Sequence, residues 1–224
     1  MIGGRILTTT REQFQTELDQ LKSDIITMAN LSGEALTKAV ESLYDQSIDQ
    51  AKEILEEDKK IDDLEDDIND KSVLLIAKQQ PVATDLRRII MYLRVVTDIE
   101  RMGDNAKNIA KATIHLDKNH TTIPEGLRQM HEITMEMLKT AMHAFKYEDI
   151  TIATKLAETD DKVDKMYKQI VSELLGETAT NPDKIQYVMQ VAFCARYLER
   201  FADHITNIGE SILYLVKGKS TKIN

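Results

Sequence analysis

A chain of 224 residues is long enough to bury a sizeable core, as one large domain or two small ones. Eight Gly, three Pro, no Trp and few aromatics disfavour a β-sandwich or an α/β barrel, whereas Ala, Leu, Ile, Met, Glu, Lys and Gln are helix formers. A formal net charge of −9 without any basic stripe argues against nucleic-acid binding, which needs clustered Lys and Arg to displace counterions.

Apolar residues recur at helical spacing nearly throughout. They predict an all-α chain of six helices, over roughly 10–45, 48–78, 84–116, 125–146, 149–175 and 182–217. The opening "MIGGRILTTTREQFQ" has no apolar leader core, and no later run approaches the roughly 18 apolar residues of a membrane span. A soluble, cytoplasmic protein is expected. The second helix carries an apolar stripe of Ile54, Ile61, Leu64, Ile68 and Leu75. Pro81 in "KQQPVATD" ends it. Arg87, Arg88 and Arg94 follow in the third helix as structural ion-pair partners, or as contacts for phosphate or an acidic partner. Pro124 in "TTIPEG" separates the third and fourth helices, and Met28, Met91, Met130, Met135, Met137 and Met142 read as core fillers. "TNPDK" is a start signal for the last helix, with Asn181 as N-cap and Pro182 at the first helical position. Cys194, the single cysteine, falls in the apolar register there, which excludes an internal disulfide and fits a reducing compartment.

The chain repeats itself. "AKEILEEDKKIDDL" from Ala51 aligns with "ATKLAETDDKVDKM" from Ala153, pairing Asp58 with Asp160 and Asp62 with Asp164. "IERMGDNAKNIA" from Ile99 aligns with "LERFADHITNIG" from Leu198, with five identities in twelve positions. Two tandem, pseudo-symmetric three-helix units are expected, over 1–118 and 119–224, as two bundles or one elongated array.

The second pair of segments spaces Glu, Asp and Asn four residues apart. At about 100° per residue, Glu100, Asp104 and Asn108 fall about 100°, 140° and 180° from the apolar direction of Ile99. Glu199, Asp203 and Asn207 take the same angles in the other half, and Asp62 and Asp164 occupy the matching flanks of their helices. Like charges at i,i+4 cost roughly 0.2–0.5 kcal/mol per pair unless compensated. Lys107 can offset the first row, but its counterpart in the second is the uncharged Thr206. One reading is a solvated helix face. The other is a cation site, whose oxygen-only ligands suit magnesium, manganese, calcium or iron. None of the five histidines stands three after a Glu, which argues against a di-iron oxidase. His204, next to Asp203, is expected in a surface role, the alternative being that it joins or flanks such a site. Nothing matches a zinc pattern, a Gly-rich phosphate loop or a nucleophile set, so an enzyme is not expected.

At "QQPVATDLRRIIMYLRVVTDIERMGDNAKNIAKA" and "FCARYLERFADHITNIGESILYLVKGK" the sequence resembles the PhoU family, with support from "EDKKIDDLEDDI" and "TDDKVDKMY". The resemblance spans nearly the whole chain. It implies a non-enzymatic cytoplasmic regulator that negatively modulates phosphate uptake and the phosphate-starvation response. Its implied partners are the ATPase of a high-affinity phosphate ABC transporter, a membrane sensor histidine kinase and a second copy in a homodimer, with the membrane reached only through partners. Metals, among them iron and zinc, are implied at the acidic motifs. By position these are Asp62, Glu100, Asp104 and Asn108, then Asp164, Glu199, Asp203 and Asn207. A metal-independent helical scaffold and a carboxylate-bridged metalloenzyme are the competing readings.

Overall fold

The structure, a computed structural model, describes residues 3–116 and 122–218, with side chains for 11–116, 122–177 and 181–218. Helix α1 spans Gly3–Asp45, α2 Ile48–Glu57, α3 Lys59–Gln79 and α4 Ala83–Ile114. The second half follows with α5 Glu125–Tyr147, α6 Ile150–Thr154, α7 Leu156–Thr180 and α8 Ile185–Lys217. All described secondary structure is helical, and the expected junction at 118/119 lies outside the described residues.

Two departures from the sequence pattern have local causes. Each expected middle helix is interrupted, at Asp58 in the first half and at Lys155 in the second. Both interrupting residues keep right-handed helical dihedrals, so the axis continues while the hydrogen-bond ladder skips. At Pro182 the start signal yields a single 3₁₀ turn, Pro182–Lys184, before α8 begins at Ile185. Asn181 makes no side-chain cap bond there. Side-chain capping appears instead at Ser47, which accepts from Gln50 N, and at Asp149, which accepts from Thr151 N at 2.8 Å and Ile152 N at 3.2 Å.

The first three-helix bundle packs α1, α2/α3 and α4 together; the second packs α5, α6/α7 and α8. Helices α4 and α8 lie against each other at the centre, and α1 also meets α5, so one apolar core runs through both halves. Buried side chains from both halves fill it, among them Met28, Met91, Met130, Met137, Met142 and Cys194. Met135 is half-buried against it. Burial pushes the Cys194 thiol up to about 12, so it stays a protonated core filler. Tyr92 and Phe145 bring the halves together with ring centroids 5.5 Å apart.

Close helix contacts depend on two missing side chains. A Cβ at Gly33 would lie 2.8 Å from Leu138 Cδ2, where α1 crosses α5. A Cβ at Gly103 would lie 3.0 Å from Ile61 Cδ1, where α3 meets α4. The repeat equivalents of Gly103 and Ile61 are Ala202 and Val163, a larger residue matched with a smaller one. Volume is conserved across the pair, as dense packing requires.

Candidate metal centre

The acidic rows stand on the middle and last helices of each half, along the margin of the apolar stripe. Ile99, Met102, Ala106 and Ile109 bury the stripe of α4, and Leu198, Phe201, Ala202, Ile205 and Ile208 that of α8. Glu100 and Glu199, one step around from the stripe, are therefore held close to the core, whereas Asp104 and Asp203 are only partly covered. Helices α3 and α7 bring Asp62 and Asp164 from the facing side.

The second half gathers its row. Asp164, Glu199 and Asp203 each offer an oxygen, all within 4.8 Å of one another; among the described residues this is the one such acidic group of three. Glu199 is 8% exposed. Its Oε1 accepts from Arg196 Nη1, whereas its Oε2 is buried without a hydrogen-bond partner. Burial, and then Asp203, push the Glu199 carboxyl up to about 7. Asp203 is raised as well, by burial and then by Asp164. The charges work against one another here.

The first half does not gather its row in the same way. Lys107 on α4 forms an ion pair with Asp58, which is 6% exposed, and its Nζ lies 3.7 Å from Asp104 Oδ1. Arg101 reaches Glu100 and Asp104, both at 3.4 Å. Asp62 is exposed, with its carboxyl raised by burial and then by Asp58. Burial, then Asp104, push Glu100 up to about 7.

The two asparagines line a cleft beside the acids, and Asn207 turns to the other half. Asn207 Nδ2 donates to Asp98 Oδ1 on α4 at 3.1 Å, and His204 Nδ1 lies 3.0 Å from the same oxygen. His204, expected at the surface, is thus partly buried and tied to the other half. Asn108, Asp104, Asp203, Asn207 and Glu210 share the wall of a cleft of about 660 Å³ between α4 and α8. Arg196 was legible as an i,i+3 partner of Glu199; Asp98 carries no sequence signal, because it acts only across a helix pair. Arg88 is the structural ion pair anticipated, donating from Nε at 2.7 Å and Nη2 at 3.1 Å to Glu148. Among the described residues Arg94 forms no ion pair and instead stacks over the Tyr214 ring at 4.3 Å.

Three convergent carboxylates, one with an orphaned buried oxygen, fit a hard cation such as manganese, magnesium or ferric iron. Bound there, a cation would be held by Asp164, Glu199 and Asp203 and would supply positive charge to the triad. The triad offers neither thiolate nor imidazole, which gives zinc a poorer donor set.

Comparison with known proteins follows the same two halves. The family model for the PhoU domain matches residues 25–113 and again 127–212. The chain belongs to the PhoU family. A phosphate-specific transport system accessory protein PhoU homolog of Clostridium acetobutylicum is 36% identical, over 96% of this chain and 99% of its own. A homolog of the same name from Aquifex aeolicus is 39% identical, over 92% of this chain and 94% of its own. The crystal structure of PhoU from Pseudomonas aeruginosa superposes with a TM-score of 0.86 at 33% identity, over 92% of this chain and all of that one. PhoU relatives bear the names of accessory and regulatory proteins rather than enzymes. Among the described residues, no PhoU helix here is long and apolar enough to cross a membrane.

Proposed function

We propose that this chain is a cytoplasmic regulator that restrains a high-affinity phosphate ABC transporter and its sensor histidine kinase when phosphate is plentiful. It acts as a homodimer, meets the membrane only through those partners, and uses a cation at Asp164, Glu199 and Asp203 to fix the surface they read. The observation that carries the metal part is the convergence of those three carboxylates around a buried, unpartnered oxygen of Glu199. Family membership over both halves supports the regulatory part.

The test is co-purification of the chain with the transporter ATPase and with the kinase, at high and low phosphate, with Mn²⁺ or with EDTA. Capture that is lost in EDTA and in Glu199→Gln supports the reading. Capture that ignores chelator and both Glu199→Gln and Asp203→Asn, and weakens only with salt, replaces it with a metal-independent scaffold. The internally neutralised row of the first half favours that second reading for its own half.

A further inference from the structure

The two ledges derive from the same residues, yet only one leaves room for a free cation. We infer that metal enters the second half alone, and that in the first half the Lys107 ammonium occupies its place as a tethered cation. This rests on the metal reading above.

Both halves set an Asp, a Glu and an Asp around one buried Asp: Asp62, Glu100 and Asp104 with Asp58, then Asp164, Glu199 and Asp203 with Asp160. Acid content therefore does not distinguish them. Position 107 does. In the first half, Lys107 Nζ is paired with Asp58 and lies 3.7 Å from Asp104. Lys107 is mostly covered, with its side chain 27% exposed, and its ammonium sits between Asp58 and Asp104. A divalent ion entering there must either sit beside this charge or evict it and strip Asp58 of its partner. Arg101 adds a second positive group over Glu100 and Asp104.

The second half carries Thr206 at the matching position. Thr206 is 3% exposed, and its Oγ1 is buried without a hydrogen-bond partner. Position 206 thus carries no charge, and the cations near this ledge lie at its margin: Lys168 reaches Asp164 at 3.6 Å on a side chain 72% exposed, and Arg200 acts on Glu199 and Asp203 without an ion pair to either. Arg196 approaches Glu199 only from the flank, on a side chain 40% exposed, and leaves Oε2 unmatched. Two orphaned buried oxygens on one ledge, against an ammonium-filled counterpart on the other, make the asymmetry a matter of chemistry rather than of exposure.

The experiment is a titration of the chelator-stripped full-length chain with MnCl₂, reading free Mn²⁺ by its paramagnetic resonance signal. The wild type is expected to bind one equivalent, Glu199→Gln none, and Glu100→Gln one. Thr206→Lys is expected to bind none and Lys107→Thr two, the latter melting earlier than wild type in EDTA and recovering with Mn²⁺. Two equivalents in the wild type overturn the inference but leave the metal reading intact. A folded Lys107→Thr chain that still binds only one does the same. One equivalent that survives Glu199→Gln and disappears in Glu100→Gln overturns both the inference and the placement of the cation at Asp164, Glu199 and Asp203. No binding by the wild type or any variant overturns the metal reading, and the inference with it. If Lys107→Thr does not fold, the two Glu→Gln variants still decide the assignment.

Discussion

Replacing Glu199 by Gln removes a buried carboxylate while keeping its shape. The folded state raises the carboxyl from its ordinary 4.5 to about 7, because of burial first and Asp203 second. That difference corresponds to about 3 kcal/mol. The pairing with Arg196 is already included, since it acts against the rise. A raised carboxyl means that between these two values the folded chain holds more protons than the unfolded one. Stability therefore falls as pH rises through that window, and the full cost stands above it. Glu199→Gln is expected to be close to neutral at about pH 4 and to stabilise the metal-free chain by up to about 3 kcal/mol at about pH 8. Urea denaturation in EDTA at both pH values measures it by linear extrapolation. A variant equally or less stable than wild type at the higher pH would show that the ionised carboxylate is well accommodated, and would refute the argument.

Further perturbations address the frame that holds the ledges. Gly103→Ala should cost about 1–3 kcal/mol through the contact with Ile61, and Ile61→Val should recover most of it, giving a coupled cycle in chemical denaturation. Arg88→Ala should cost about 1.5–3 kcal/mol near neutral pH. Because Arg88 holds the Glu148 carboxyl below its usual range, the difference should shrink as pH falls through the Glu148 titration, as thermal melts across that range would reveal. Phe145→Ala should cost about 3–5 kcal/mol. Calorimetry should still record a single transition, because the core around Phe145 belongs to both halves.

Much of this was legible in the residues. The 3.6 periodicity placed the helices, the prolines marked their breaks, and the alignment of Glu100 with Glu199 and of Asp62 with Asp164 exposed the duplication. Periodicity also put both glutamates beside the core, which is why their carboxyls are the most strongly raised of the two rows. What was hidden depends on which helix faces which. Angles around one helix equate Asn108 and Asn207 with the acids, but they do not say that Asn207 turns to Asp98 on α4. Nor do they say that Asp62 remains exposed while Asp164 closes on Glu199 and Asp203. Sequence spacing pairs Lys107 with Asp104 at i,i+3, whereas its principal contact is Asp58, at the junction of α2 and α3. Proline's fixed φ suits either helix type, so the start signal at Pro182 locates the turn without specifying that it is 3₁₀.

Because one apolar interior is shared across α4 and α8, neither copy of the ancestral unit is finished by itself. Severed between them, each fragment would turn a long greasy seam toward water and invite clumping. Duplication here has removed the freedom that usually follows it: one copy may drift in its chemistry, as Lys107 against Thr206 records, yet neither can be discarded.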